Sequence, residues 1–594
     1  MIHRNRSLRA ITLPVLSLAF LPGCPIITPD LGQTTSGTSG GPSDASTSAG
    51  DGVDSTGAAG ECPPLLPADV SADATLPAGC RSVAEGLAID HRLELQPGVE
   101  LRFEAAGGLV VGPSGVLRAI GTAADPVILT AAGEAGWQGV RWHSSTSSDN
   151  RLEHVTLDGA TEVALHASGD TRLQISNSEI SGAAEAGLRA DPGAELTLES
   201  SILRGNGVPL SLGIDVVSGV AGDNELSDND QPAARVEGGT LTDAARWEAI
   251  GVPLRFTGDA YIEGALELAP GVEIEMPQDA RFDVSVTGSL RAEGTAGAPI
   301  VMRGQQDERG YWQGLSVASQ TSANVLSHCE LSNGGASGWN GAVDSVAMVW
   351  LTDQAKLQIS HCTLRRSGGA AVGSMERVDL SGFADNVIED NRHTLQLNPQ
   401  VVAAVEASNA FVDNDEDYVR VGRENANTHG IDATATWAAL PVAYRVMDRF
   451  YVGAALTVEA GAVVQVMQDR QIVVQPAGSL RAVGTASAPI RFVGVEALPG
   501  YWKGLQVESV SASNELRHVE VRHAGSSGFN GSDQSDGALY IEGSLMLADS
   551  VVAQSGGHGA VVWEGQLLGC EGVQFQDNAK DDVYVWGDGT TACP

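Results

Sequence analysis

The feature that most constrains this chain is a phrase of sequence that occurs three times. Each copy carries a turn glycine, a Gly-Thr pair and a Trp-x-Gly triplet in the same order. The pairs are Gly121-Thr122, Gly294-Thr295 and Gly484-Thr485, and the triplets begin at Trp137, Trp312 and Trp502. In each copy the turn glycine precedes the Gly-Thr glycine by 23 residues, so the copies keep step. A repeat of this length predicts a solenoid in which each coil contacts only its neighbours.

The segments between these markers have the pattern of short β-strands. Residues 272–276 alternate apolar residues with carboxylates, which places three apolar side chains on one face of a strand and two acids on the other. After the first thirty residues no segment keeps a helical hydrophobic period, and 72 glycines make long helices costly. The sequence therefore predicts an all-β fold.

The first residues of the chain have the pattern of an export signal. Three arginines precede an apolar run at residues 10–21, which is too short to span a bilayer, and Cys24 follows. The segment resembles a bacterial lipoprotein signal peptide, which is cut before a cysteine that then receives lipid. An ordinary secretory signal is the alternative. The resemblance implies a lipid anchor at Cys24, and Pro25 in the next position favours the outer membrane or cell surface.

A polar segment separates this signal from the repeats. Residues 28–61 are mostly Gly, Ser, Thr, Ala and Asp, which cannot bury enough surface to offset chain entropy. We therefore predict a signal peptide at 1–23 and a flexible tether with an N-terminal cap at 24–74. Three β-helix repeats are predicted at 75–244, 245–434 and 435–594.

The charge of the chain limits its partners. The formal net charge is −39, which makes nucleic acid and anionic lipid surfaces poor partners. Acids at outward strand positions and in turns are typical of a soluble extracellular surface. Weak cation binding is the alternative interpretation.

Six cysteines follow Cys24, and an even count in an exported chain suggests disulfides. Proximity in sequence predicts three pairs, Cys62 with Cys80, Cys329 with Cys362, and Cys570 with Cys593. The middle pair lies in the repeated phrases Ser327-His328-Cys329 and Ser360-His361-Cys362. Stacking on adjacent coils would bring these Cα atoms within the roughly 4.4 to 6.8 Å that a disulfide accepts. A metal site is the alternative, although no Cys-x-x-Cys motif is present.

The chain resembles the right-handed parallel β-helix proteins of the pectate-lyase-like group, particularly bacterial surface proteins built from repeated copies. The resemblance rests on residues 95–99, 115–122 and 137–140 and on the same segments of the later copies. It implies the fold for most of the chain. It leaves function open, because the group includes polysaccharide lyases, hydrolases, adhesins and scaffolds without activity.

One fragment invites comparison with the catalytic residues of that group. Gly557-His558-Gly559 matches an element of the hydrolases, but their upstream aspartates are not recognisable, and Asp581-Asp582 lies downstream. A structural turn is the simpler interpretation. We predict no catalytic residues.

Two further features raise metal hypotheses. The cluster at residues 413–417 offers oxygen ligands that suit calcium, but similar Asp-Asn pairs end the other copies, which favours a turn. His154, His328 and His518 recur at the same place in each copy. Because a catalytic centre normally occurs once, this recurrence favours a scaffold role over zinc binding. We therefore predict no metal site and no cofactor, with calcium as the open alternative.

The loops that differ between the copies are the candidate contact surfaces. Copy two inserts a glycine-rich loop with Trp339 and Asn340, and copy three inserts one with Phe529 and Asn530. An aromatic ring beside an amide suits a sugar, because the ring can stack on the sugar and the amide can hydrogen-bond its hydroxyl groups. The alternative is an aromatic side chain that covers the flank of the solenoid.

These observations predict a non-catalytic, lipid-anchored scaffold for surface display, adhesion or glycan binding. Its partners would be the membrane, through the lipid, and a polysaccharide or an envelope protein. The alternative is a polysaccharide lyase or glycoside hydrolase that acts in a groove along the β-helix.

Overall fold

The chain folds as a parallel β-solenoid of about 21 turns, so the predicted fold class is confirmed. In the computed structural model 49% of the residues are in strands and 2% in helices. The structure describes residues 62–65, 69–339, 341, 345–352, 354–423 and 429–593. The predicted signal peptide, Cys24 and most of the predicted tether lie outside this part.

Most coils contribute one strand to each of three walls. In copy one the first wall contains Ala74–Leu76, Arg92–Leu95, Val116–Ile120, Arg151–Glu153, Arg172–Ser176 and Glu195–Glu199. Its second wall contains Gly79–Val83, Val99–Phe103, Val127–Ala131, Val155–Asp158, Glu179–Ser181 and Ile202–Arg204. All of these strands pair in parallel with the strands of the neighbouring coils.

Two long sheets run through more than one copy. The first contains Asp69–Val70, Gly86–Ile89, Gly108–Val111, Val140–His143, Val163–Ser168, Ala186–Ala190, Val208–Leu212, Ala234–Val236, Leu254–Phe256, Glu273–Met276, Ile300–Gly304, Cys329–Ser332, Thr363–Arg365, Val387–Glu389 and Ala410–Val412. The second contains Gly239–Leu241, Ala260–Ile262, Arg281–Val284, Gly314–Val317, Ala347–Leu351, Ala370–Ser374, His393–Leu397, Glu416–Val421, Ala443–Val446, Val463–Val466, Ile490–Gly494, Val519–Arg522, Val551–Ala553 and Gln574–Gln576.

Three shorter sheets complete copies two and three. The first wall of copy two contains Ala245–Trp247, Ala265–Leu268, Ser289–Glu293, Val325–Ser327, Lys356–Ser360 and Asp379–Ala384. The first wall of copy three contains Ala435–Trp437, Ala455–Val458, Ser479–Val483, Glu515–Arg517, Ser544–Ala548, Gln566–Leu568 and Thr590–Thr591. Its third wall contains His429–Ile431, Phe450–Val452, Gln471–Val474, Gly504–Val507, Gly537–Ile541, His558–Trp563 and Val583–Trp586.

The long sheets change their role where one copy meets the next. The first long sheet is the third wall of copy one and the second wall of copy two. The second long sheet is the third wall of copy two and the second wall of copy three. The 3-10 segments Val217–Gly219 and Val401–Ala404 lie between the first walls of successive copies. The outer face of a given wall in one copy is therefore not in the same sheet as the outer face of the equivalent wall in the next copy.

Alternation along each strand builds the core. In Val99–Phe103 the residues Val99, Leu101 and Phe103 are buried, and the residues between them are partly exposed. This is the period of two that a sheet with one buried face requires. Most of the buried apolar residues form one continuous cluster from Val70 to Cys593, and two small groups lie apart from it.

The Trp-x-Gly triplets hold successive coils together. Trp137, Trp312 and Trp502 are fully buried, and each indole Nε1 donates to a backbone carbonyl 2.8 or 2.9 Å away. The triplet glycine has a positive φ in every copy, 74° at Gly139 and 128° at Gly504. A Cβ on Gly139 would lie 2.4 Å from the carbonyl oxygen of Val163, so the next coil leaves no room for a side chain.

Two of the three predicted disulfides are formed. Cys62 is bonded to Cys80 at the start of the solenoid, with Cα atoms 5.2 Å apart. Cys570 is bonded to Cys593 across the last two described coils, with Cα atoms 5.1 Å apart. Both bonds lie at ends of the described solenoid, where a coil has a neighbour on one side only.

Candidate functional site

The predicted disulfide between Cys329 and Cys362 is wrong. Both residues are buried free thiols; Cys329 begins the strand Cys329–Ser332 of the second wall, and Cys362 directly precedes the adjacent strand Thr363–Arg365. The Cys362 Sγ accepts a hydrogen bond from the backbone N–H of Cys329 at 3.4 Å, and its own S–H donates to the Ser360 carbonyl at 3.2 Å. The hydrogen bond with Cys362, together with burial, raises the pKa of Cys329. A disulfide would remove the S–H group of Cys362 and with it the hydrogen bond to the Ser360 carbonyl.

Serine performs the same task in the other copies. In copy one, Ser178 Oγ accepts from the N–H of Val155 at 3.1 Å and donates to the Ser176 carbonyl at 2.8 Å. In copy three, Ser550 Oγ accepts from the N–H of Val519 at 3.0 Å. The cysteines are therefore members of a ladder in which each side chain bonds to the backbone of the preceding coil.

The recurring histidines lie in a turn. His154, His328 and His518 have φ of 49°, 50° and 49°, in the left-handed region. Asn177 and Asp385 take the same conformation on other coils, with φ of 49° and 55°. This position selects residues that tolerate a left-handed backbone, which explains the recurrence without a metal.

The residues of the acidic cluster at 413–417 contact different partners. Asp413 adopts a left-handed turn, and Asn414 Oδ1 accepts from the N–H of Asn391 at 3.1 Å. Asp415 pairs with Arg309 at 2.6 Å. Asn229 and Asn578 end similar ladders by accepting from Asn206 and Ser555. Within the described part of the chain, no three His, Cys, Asp or Glu side chains are grouped to hold a metal ion.

The Gly-His-Gly fragment belongs to a packed strand. His558 begins His558–Trp563, is 6% exposed and stacks on Tyr584 with ring centroids 4.7 Å apart. Burial lowers the pKa of His558, although Asp581 lies 3.4 Å from its Nδ1. A Cβ on Gly559 would lie 2.5 Å from the carbonyl oxygen of Asp582, so that glycine is needed for close packing.

The loop of copy two folds its aromatic ring onto the solenoid. Trp339 is half-buried, packs against Ala347, Trp350 and Ala370, and donates from Nε1 to the Ala347 carbonyl at 2.8 Å. This arrangement supports the covering interpretation for Trp339. Asn340 lies outside the described residues.

The loop of copy three keeps its ring beside a cation. Phe529 is half-buried and stacks on Tyr540 with centroids 4.9 Å apart, and the Lys503 Nζ lies 5.3 Å from its ring centroid. The Asn530 side-chain oxygen accepts from the N–H of Ser532 at 3.0 Å and from the Ser535 hydroxyl at 2.6 Å. The predicted amide ligand is thus engaged inside its own loop, whereas the ring adjoins a charged surface. Ligand binding by Phe529 and Asn530 stays a prediction.

A cluster that the sequence did not reveal lies where copy two meets copy three. The Glu416 carboxylate accepts from Tyr418 and Arg420 and lies 3.1 Å from His393 Nδ1, and the Arg445 guanidinium lies 3.3 Å from the Tyr418 ring centroid. Burial raises the pKa of Glu416, but hydrogen bonds from Tyr418 and Arg420 outweigh it and hold the pKa low.

Burial, followed by the charge of Arg420, lowers the pKa of His393. The cluster therefore places an imidazole with a lowered pKa beside a carboxylate, a phenol and guanidinium groups. Only the register of three neighbouring strands assembles it, because the residues of Glu416–Val421 are 20 or more residues from His393 and Arg445 in sequence.

Two clefts lie where copy one meets copy two. One, of about 490 Å³, adjoins Glu195–Glu199 and the 3-10 segment Val217–Gly219. The other, of about 270 Å³, contains Arg235 and Arg255, which pair with Glu185 at 3.8 Å and with Glu275 at 2.8 Å. The guanidinium groups in this cleft are thus already neutralised.

Comparison with known protein families, with curated proteins and with solved structures finds no match to this chain. No helix among the described residues is long and apolar enough to cross a bilayer.

Proposed function

We propose that the protein is a non-catalytic lipoprotein of the cell envelope whose β-solenoid displays a surface for adhesion or glycan binding. In this proposal the solenoid is of the pectate-lyase-like kind. Cys24 carries the lipid that anchors the chain to the outer membrane or cell surface. The polar segment before the repeats separates the displayed body from the membrane.

The non-catalytic part of this proposal is based on one observation. The recurring residues whose side chains could take part in catalysis have structural positions. His154, His328 and His518 lie in left-handed turns, and the side chains of Asn391 and Cys362 accept hydrogen bonds from the backbone of the preceding coil. A side chain held in a hydrogen-bond ladder between coils is not free to move a proton or bind substrate. In this proposal the residues that contact a ligand are at the outward positions that differ between the copies.

A panel of polysaccharides tests this proposal with the full chain. We expect retention on at least one immobilised glycan, with neither unsaturated products nor new reducing ends after incubation. Turnover that disappears on replacement of a single acid or base would overturn the non-catalytic assignment. A protein captured from outer-membrane extracts, with no glycan retained, would favour a structural envelope role instead.

The lipid anchor has its own test. Mass spectrometry of the mature N-terminus should find an acylated Cys24, and Cys24→Ser should release the protein from the membrane fraction. A mature chain that begins elsewhere and lacks lipid would contradict the anchor without affecting the display surface.

The cluster around Glu416 favours a second candidate, a polysaccharide lyase or hydrolase. The lowered pKa of His393 favours the neutral imidazole that proton abstraction requires, and the guanidinium groups of Arg420 and Arg445 suit a developing negative charge. If this candidate is correct, His393→Gln abolishes turnover while Thr352→Ser, at a residue outside the cluster whose hydroxyl donates to the Val317 carbonyl, leaves it unchanged. Turnover unaffected by His393→Gln would exclude the cluster as a catalytic centre.

A further inference from the structure

The third wall of copy three carries two cations, Arg449 and Lys503, that form no ion pair with any described carboxylate; the Arg449 guanidinium donates to the Tyr451 hydroxyl at 3.2 Å. Arg449 precedes Phe450–Val452 and is exposed, and Lys503 precedes Gly504–Val507 and is half-buried. Of the carboxylates on described residues, none lies within 4.0 Å of either cation. In contrast, the neighbouring Arg470 lies 3.4 Å from Asp448. Unneutralised cations are unexpected in a chain with 74 acidic residues.

The surroundings of Lys503 disfavour its positive charge. Burial lowers the pKa of Lys503 and the positive charge of Arg449 lowers it further, against the weaker influence of Asp469. A half-buried ammonium group beside a second cation is under-compensated, because desolvation and repulsion both disfavour its charged form. A bound anion would relieve both effects.

Copy two provides the matched comparison, 190 residues earlier. Its equivalents of Arg449, Gln471 and Lys503 are Asp259, Arg281 and Gln313. Asp259 accepts from the N–H of Arg281 at 3.0 Å and lies 3.7 Å from its Nε. Gln313 bonds its own loop through Ser337, at 2.8 and 2.7 Å. Copy two therefore neutralises and closes this face, whereas copy three leaves two positive charges on it.

An unpartnered acceptor lies between the two cations. Gln471 is on the strand between those of Arg449 and Lys503 and is 5% exposed. Its Oε1 has no hydrogen-bond partner in the described part of the chain. A buried acceptor without a donor is unfavourable, and a hydroxyl group of a ligand would satisfy it.

We propose that the outer face formed by Arg449, Gln471, Lys503 and Phe529 binds a small oxyanion that also carries hydroxyl groups, as a carboxylated sugar does. The cations hold the anionic group, Gln471 accepts from a hydroxyl, and the Phe529 ring contacts the apolar side of the ligand. The inference rests on the proposed function, since it names the ligand class of the displayed surface. A small ligand fits better than a long polyanion, which the net charge of −39 repels beyond the patch.

The test measures binding of sodium glucuronate, sodium sulfate and glucose to the full chain by calorimetry at constant ionic strength. Lys503→Gln restores the residue of copy two, so it should fold normally. We expect wild type to bind glucuronate more tightly than sulfate, with no binding of glucose. Lys503→Gln should weaken glucuronate binding at least about tenfold. Lys356→Gln, which removes an exposed lysine from copy two, is the charge-matched control and should leave binding unchanged.

The opposite results are equally clear. Equal glucuronate affinity in wild type and Lys503→Gln, or no binding of glucuronate at all, would overturn the site. Sulfate binding as tightly as glucuronate would overturn the role of Gln471. If polysaccharide retention by the full chain survives in Lys503→Gln, this site is wrong while the proposed function stands.

Discussion

Cys329 and Cys362 show how one side chain is used differently from what its context in sequence suggests. The two cysteines lie in repeated phrases 33 residues apart, which predicted a disulfide, yet Cys362 Sγ occupies the place of a serine hydroxyl and accepts from the N–H of Cys329. Replacing Cys362 by Ser should therefore change stability little. Replacing it by Val should cost about 1–3 kcal/mol, because a buried N–H loses its acceptor. Thermal unfolding of the two variants measures the difference.

Alkylation before reduction checks the state of the same pair. Peptide mapping should find Cys329 and Cys362 labelled after denaturation, and Cys62, Cys80, Cys570 and Cys593 protected. Protection of the middle pair would show that a disulfide replaces the ladder.

The turn histidines offer a second test on single residues. His328 has φ of 50°, and Asn177 takes the same conformation in copy one. We expect His328→Asn to leave the melting temperature nearly unchanged and His328→Val to destabilise by about 1–3 kcal/mol, because a branched residue tolerates the left-handed region poorly. A drop with His328→Asn that added zinc reverses would contradict the turn assignment.

Among elements of structure, the asparagine ladder shows how neighbouring coils are fixed in register. The Asn391 side chain accepts from the N–H of Ser367 at 2.9 Å and donates to the Leu364 carbonyl at 2.9 Å, fully buried. Asn391→Ala leaves both backbone groups unpaired, and we expect a loss of about 2 kcal/mol or more. Asn414→Ala, at the more exposed end of the ladder, should cost less. Equal losses in thermal melts would show that burial does not decide the contribution.

The sequence predicts the individual strands better than it predicts how the strands are arranged in sheets. Alternation and turn glycines predict strands such as Val99–Phe103, because burying one face of a strand requires a period of two. The same patterns do not encode which wall continues into the next copy, since parallel strands pair through the backbone. The change of role of the long sheets at Val217–Gly219 was therefore not predictable.

Some residues of the candidate sites could likewise be selected from the sequence, whereas others depend on the strand register. Phe529 could be selected from sequence because it lies in a loop that copy one lacks. The charges at Arg449 and Lys503 are visible in an alignment of copies two and three, but it is the strand register that leaves them without an ion pair to any described carboxylate. The cluster of His393, Glu416 and Arg445 depends on register alone.

For the whole molecule, the question is how far a local defect spreads along the solenoid. The core is continuous from Val70 to Cys593, yet each coil contacts mainly its two neighbours. Trp502→Ala removes a fully buried indole that donates to the Arg522 carbonyl, and such a truncation costs about 3–5 kcal/mol. If stability is the sum of neighbouring coils, this loss should stay within copy three.

Hydrogen exchange followed by mass spectrometry measures that spread. In Trp502→Ala we expect faster exchange in Gly504–Val507, Gly537–Ile541 and the strands beside them, and wild-type exchange in Val99–Phe103. Trp137→Ala should give the reverse pattern, because Trp137 holds the equivalent place in copy one. Faster exchange in all three copies with either variant would mean that the solenoid opens as one cooperative unit, since the continuous core would then couple coils far beyond their immediate neighbours.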